Sequence, residues 1–157
     1  MKRSRILLFS LLLFASLTHA QQVIRVQSCN DTLIQRQVDS LKQLFSKQGF
    51  SVLREASITM ESEYEMPVVV QLQERALYQV VFLGDVTSKL YEVRMYDWDE
   101  KMVVYQKKLW GDVDGNIISY GYQPKFTEFH MIKPVQVNKQ KKKGLCGYIM
   151  LLQKVRP

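Results

Sequence analysis

The chain is poor in metal-binding and redox residues, and beyond its first 20 residues it has no long apolar run. Each shortage excludes a class of protein. Among 157 residues there are two cysteines, Cys29 and Cys146, and two histidines, His19 and His130. A closed structural zinc centre takes four Cys or His ligands, and His19 falls in a segment expected to be removed. No Gly-x-Ser-x-Gly turn is present to expose a serine nucleophile. Past the N-terminus no stretch approaches the ~20 apolar residues of a bilayer-spanning helix. Internal repeats and low-complexity tracts are absent as well. With 46% hydrophobic and 11% aromatic residues, the composition is that of an ordered domain with a real core.

Lys2, Arg3 and Arg5 precede an apolar run over residues 6–17. Thr18, His19 and Ala20 then bring small side chains before polar Gln21 and Gln22. This order of charge, apolar run and small residue is that of a secretory signal peptide. Residues 1–20 are therefore expected to be cleaved, and residues 21–157 to form a single exported domain, periplasmic or extracellular, with no transmembrane segment. Cys29 follows Val26, Gln27 and Ser28, which is not a lipoprotein cleavage context. In an oxidising compartment Cys29 and Cys146 are free to pair. The sequence leaves a disulfide and two thiols both open.

The formal charge of +7 is unevenly distributed. Residues 21–124 hold 11 basic and 14 acidic side chains, whereas residues 125–157 hold 8 basic and 1 acidic. An acidic body thus carries a basic C-terminal quarter, concentrated at Lys139, Lys141, Lys142 and Lys143.

Hydrophobic spacing predicts one helix over about 31–48. Asn30 or Asp31 serves as N-cap, and Ile34, Val38, Leu41 and Phe45 recur on one face. Gly49 supplies the stop, with Phe50 folding back on the last turn. From about 50 to 155 the period is two. Val68, Val70 and Leu72 alternate after Pro67. Residues 77–83 are apolar on both faces except at Gln79, as in a central strand. Tyr91, Val93 and Met95 share a face, the acidic turn 97–101 leads to a return strand from Met102, and a second turn spans 112–116. Pro124 and Pro134 are expected to bracket a short strand over 126–132, a loop over 136–143 follows, and the last strand spans 145–152. Seven or eight short strands with no interleaved helices predict a mainly β fold, an antiparallel β-sandwich of jelly-roll type with one N-terminal amphipathic helix.

The stretch from Val70-Gln71-Leu72 through Ala76-Leu77-Tyr78-Gln79-Val80, the acidic hairpin after Val93-Arg94-Met95-Tyr96-Asp97 with Val103-Val104-Tyr105 returning, and the closing Gly147-Tyr148-Ile149 resemble bacterial pre-peptidase C-terminal modules. Arg75-Ala76-Leu77 stands where those modules usually place a glycine before the aromatic. The resemblance implies a small jelly roll and an extracytoplasmic accessory role, with no catalytic residues. The overall style is similar to that of envelope proteins of Bacteroidota.

Four groups of residues are candidates for chemistry. Asp97 and Asp99 with Glu100, and Asp112 and Asp114 with Asn116, are oxygen-rich turns of the kind that hold Ca²⁺. Gly115 comes too early for an EF-hand, however, and Gln123 stands where the bidentate Glu would be, so the pattern fits hairpin turns better. His130 shares a strand face with Glu128, yet no nucleophile accompanies the pair. The four lysines suit an anionic partner or a solvated loop; with no aromatic interleaved, nucleic acid is not expected. Trp98 and Trp110 adjoin turns and are expected to be exposed, as faces on which a sugar ring stacks. The expected function is a non-catalytic binding or interaction module for an envelope glycan, a protein or an anionic surface, without a cofactor; a small hydrolase or enzyme inhibitor is the alternative.

Overall fold

The computed structural model describes residues 29–113 and 115–155. The expected signal peptide and Asp114 lie outside them. The element order is α1 (Thr32–Lys47), β1 (Phe50–Met60), β2 (Val68–Leu72), β3 (Tyr78–Gly84), β4 (Ser88–Tyr96), β5 (Met102–Leu109), β6 (Ile117–Tyr122), β7 (Glu128–Asn138) and β8 (Leu145–Lys154). Two four-stranded sheets, β1-β8-β3-β6 and β2-β7-β4-β5, pair antiparallel throughout. This is the strand order of a jelly roll.

Alternation along the strands sends Ile58, Val80, Phe82, Ile149 and Leu151 inward from the first sheet. They meet Val70, Val93, Met95 and Ile132 from the second. The opposite face of the first sheet is apolar too, and there Val81, Leu83, Met150 and Leu152 receive Ile34, Val38 and Phe45 of α1. A sheet covered on both faces reads as a continuous apolar run, which is why residues 78–83 look central.

Both helix ends are closed. The Asp31 carboxylate accepts from the N–H groups of Leu33 at 2.8 Å and Ile34 at 3.0 Å. At the other end Gly49 takes a positive φ of 78°, and the Phe50 ring packs edge-on against Phe45 at 6.0 Å. Ahead of the cap, Cys29 and Cys146 form a disulfide across 117 residues, with their Cα atoms 5.5 Å apart. The bond holds the start of α1 to β8.

The expected short strand between Pro124 and Pro134 is instead an 11-residue strand running through Pro134. Its partner β2 begins only at Val68, opposite Ile132, so the missing N–H of Pro134 points at no strand. On that side its carbonyl accepts from Met66 N–H at 3.1 Å. The absent donor therefore costs no ladder bond. In consequence Gln136 and Asn138, expected in a loop, belong to β7 and are buried.

Candidate functional site

At one end of the sandwich the core turns polar. Gln136 Oε1 accepts from Asp85 N–H at 2.8 Å and Ser88 Oγ at 3.1 Å, while its Nε2 donates to Cys146 O at 3.0 Å. Asn138 Nδ2 donates to Thr87 O at 2.8 Å, and its backbone N–H to Ser62 Oγ at 2.9 Å. Buried polar groups satisfied in this way hold a surface rigid. The Tyr91 hydroxyl joins them, donating to Asp85 O and Ser88 O; burial first, and the Asp85 charge second, push it up to about 12.

Above this network opens a cleft of about 600 Å³. Thr87, Ser88 and Asn138 form its polar lining, Leu109 and Trp110 its apolar side, and Lys89, Lys139 and Lys142 its charged rim. Among the described residues, no acidic side chain lines it. Trp110 is 74% exposed, and its backbone N–H is held by Lys89 O at 2.8 Å. The arrangement offers a flat aromatic face beside three ammonium groups over fixed hydrogen-bonding atoms.

The four lysines expected to act together are divided by the loop. Lys139 and Lys142 line the cleft, and no acidic side chain among the described residues pairs with them. Lys141 and Lys143 instead approach Glu63 at 4.0 Å and Glu61 at 3.9 Å. The turn that separates them is local: Asn138 accepts from Gln140 N–H and Lys141 N–H, turning the chain at Lys141, whose φ is 49°, while the carboxylates that meet Lys141 and Lys143 come from far upstream.

Trp98 is exposed as expected, at 68%, but lies at the far end of the eight-residue β5. At ~3.3 Å per residue the two tryptophans are about 25 Å apart and cannot share a small ligand. The acidic turns flank β5 in the same way. Asp97 Oδ1 accepts from Lys101 N–H at 2.9 Å, and Asp112 Oδ2 from Leu109 N–H at 2.7 Å. Each caps its own turn, Asp99 is exposed, and no metal-sized group of three or more acidic, His or Cys side chains is present among the described residues.

His130 is buried between the sheets. Its Nε2 lies 3.0 Å from the Tyr122 hydroxyl and 3.6 Å from Glu128 Oε1, and its Nδ1 has no partner among the described residues. Burial first, then the Glu128 and Asp97 charges, raise the Tyr122 phenol. A ring enclosed in this way meets no substrate. A second opening of about 120 Å³ between the edges of β1 and β2 is lined by Ala56, Val70 and Ile149; Arg54 reaches across this edge to donate to Val69 O at 2.9 Å.

Of the candidates in the sequence, Trp110, Lys139 and Lys142 come together at this cleft, alongside Lys89, Thr87, Ser88 and Asn138, which carried no such expectation. A signal for Asn138 was present. Ile132, Pro134, Gln136 and Asn138 continue one face of a strand while Val135 and Val137 continue the other, a pattern masked by reading Pro134 as a terminator.

No family model matches the chain, and no curated protein matches it. Among solved structures it is similar to a chain from the structure of infectious bursal disease virus Gx strain. The two are 13% identical with a TM-score of 0.25, over 64% of this chain and 32% of that one, so the chain spans about a third of that protein's length.

Proposed function

We propose that the chain is an exported, non-catalytic binding module that holds an anionic glycan in the cleft beside Trp110. The observation that carries this reading is the lining itself, in which an exposed indole and three lysines, with no acidic partner among the described residues, surround a polar floor. A sugar ring presents C–H groups to an aromatic face, and its carboxylate or sulfate would accept from ammonium donors, bonds roughly twice as strong as neutral ones. The indole favours a sugar over a bare phosphate or lipid surface. The disulfide suits an oxidising compartment, and an accessory role is what the resemblance to pre-peptidase C-terminal modules implies.

Titration by tryptophan fluorescence with a uronic-acid oligosaccharide, a neutral oligosaccharide of equal length and anionic phospholipid vesicles tests the assignment. The acidic sugar is expected to bind most tightly. Binding should weaken as the Debye length falls from ~8 Å at 0.15 M salt to ~3 Å at 1 M. Removing Lys139 and Lys142 together (Lys→Gln) should weaken binding by tenfold or more, at about 1.5–3 kcal/mol per charged hydrogen bond. The same change at Lys141 and Lys143 should leave it nearly intact. Equal losses from both pairs, or no effect of Trp110→Ala, would overturn the reading.

A further inference from the structure

Among the described residues, nothing covers the outer face of the β2-β7-β4-β5 sheet. Helix α1 lies on the other sheet, and both described ends of the chain stay on that side. Cys29 is bonded to Cys146 in β8 and hydrogen-bonded to Ser57 in β1, while Val155 N–H donates to Gly49 O at 2.9 Å.

Register sets the outward side chains in rows across the sheet. One row runs Val69, Met131, Tyr96, Met102 over all four strands. One step towards the β4–β5 turn, Phe129 meets the Trp98 ring at 6.2 Å. Val69 is 48% exposed, Phe129 46% and Met102 51%. Single exposed apolar residues are ordinary, but a row of them across a whole sheet marks a contact surface; in this row the Tyr96 ring is half-buried, with Lys133 Nζ 5.1 Å over it.

Charge changes sign across this band. On the turn side stand Asp97, Asp99 and Glu100 against Lys101. On the other side Arg94, Lys107 and Lys133 share two carboxylates: Arg94 bonds Glu65 at 3.0 Å and Glu92 at 2.8 Å, Lys133 approaches Glu65 at 3.1 Å, and Lys107 approaches Glu92 at 3.9 Å. That side keeps a cation in excess. A strip that is acidic on one edge, apolar along its middle and basic on the other complements itself after half a turn.

We propose that a second copy of this chain docks face to face on the band, about a two-fold axis along the row Val69, Met131, Tyr96, Met102. The axis lays each apolar row on its twin and sets one copy's Asp99 and Glu100 against the other's Arg94 and Lys107. Such a contact is isologous and closes at two chains. The cleft lies at the opposite end of β5, so dimerisation leaves both clefts open and presents two sites to one polymer.

Sedimentation velocity on the oxidised chain, over a concentration series, tests this. A monomer–dimer equilibrium is expected. Trp98→Ser should weaken dimerisation about tenfold or more, as loss of an exposed aromatic anchor beside the axis does, with circular dichroism and the melting temperature unchanged. Asp99→Lys should weaken it too, and adding Lys107→Glu to the same chain should restore it. A monomer at every concentration, or a dimer indifferent to Trp98→Ser, would overturn the proposal. So would a monomeric parent that binds a neutral oligosaccharide and loses it on Trp98→Ser, which would give the band to sugar stacking.

Discussion

Reduction of Cys29–Cys146 should cost a large share of the stability without dismantling the sandwich. The bond closes a loop across 117 residues. In the chain-entropy account a loop of this size restricts the unfolded chain by about 5 kcal/mol, against total stabilities of about 5–15 kcal/mol for domains in general. What remains is specific. Ile34, Val38 and Phe45 still seat α1 on Val81, Leu83 and Met150, and Gly49 still joins it to β1. The loss should therefore be greatest at the helix start, Thr32, which lies only three residues after Cys29. Urea titration with and without dithiothreitol is expected to show a lower midpoint when reduced, and a Cys29→Ser, Cys146→Ser chain should behave like the reduced parent. Amide exchange should accelerate in the first turns of α1 more than in β3 or β8. A reduced protein within about 1 kcal/mol of the oxidised one, or exchange that rises uniformly, would refute the reasoning.

Three further outcomes follow from the packing. A methyl group at Gly84 would sit 2.5 Å from the Tyr91 ring, which is held in place by its hydroxyl bonds to Asp85 and Ser88; Gly84→Ala should destabilise by about 2–3 kcal/mol in chemical denaturation, and a loss under about 0.5 kcal/mol would mean the ring moves freely. Tyr91 ionises at about 12 in the fold instead of 10, so the unfolded chain releases this proton first: its contribution is complete below pH 10 and falls by about 1.4 kcal/mol per pH unit towards pH 12, a slope that Tyr91→Phe should remove from the alkaline stability profile. Asp31→Ala should cost about 1 kcal/mol by leaving the Leu33 and Ile34 N–H groups uncapped, whereas Asp31→Asn should be nearly neutral in thermal melts.

The elements of the fold were legible because their signals are local. Ile34, Val38 and Phe45 repeat at helical spacing and occupy one buried face. Val68, Val70 and Leu72 alternate as a half-covered strand does. Residues 78–83 are apolar on both faces because one neighbour is the facing sheet and the other is α1. The exposure of Trp98 and Trp110 was legible for a similar reason, since turns leave large side chains outside.

What the sequence could not order was anything decided between residues distant along the chain. Pro134 reads as a terminator from its own chemistry, and only the late start of β2 lets β7 pass through it and bury Gln136 and Asn138. The lysines 139–143 form one charged run in sequence. Glu61 and Glu63, nearly 80 residues upstream, draw Lys141 and Lys143 aside, while Asn138 turns Lys139 and Lys142 towards Trp110. By itself the sequence determined the sandwich, the helix on its flank and the buried face of most elements, because burial is written in the period of two or 3.6. The cleft and the uncovered row on the second sheet were decided only by tertiary structure, because strand order and register, not spacing, choose which distant side chains become neighbours.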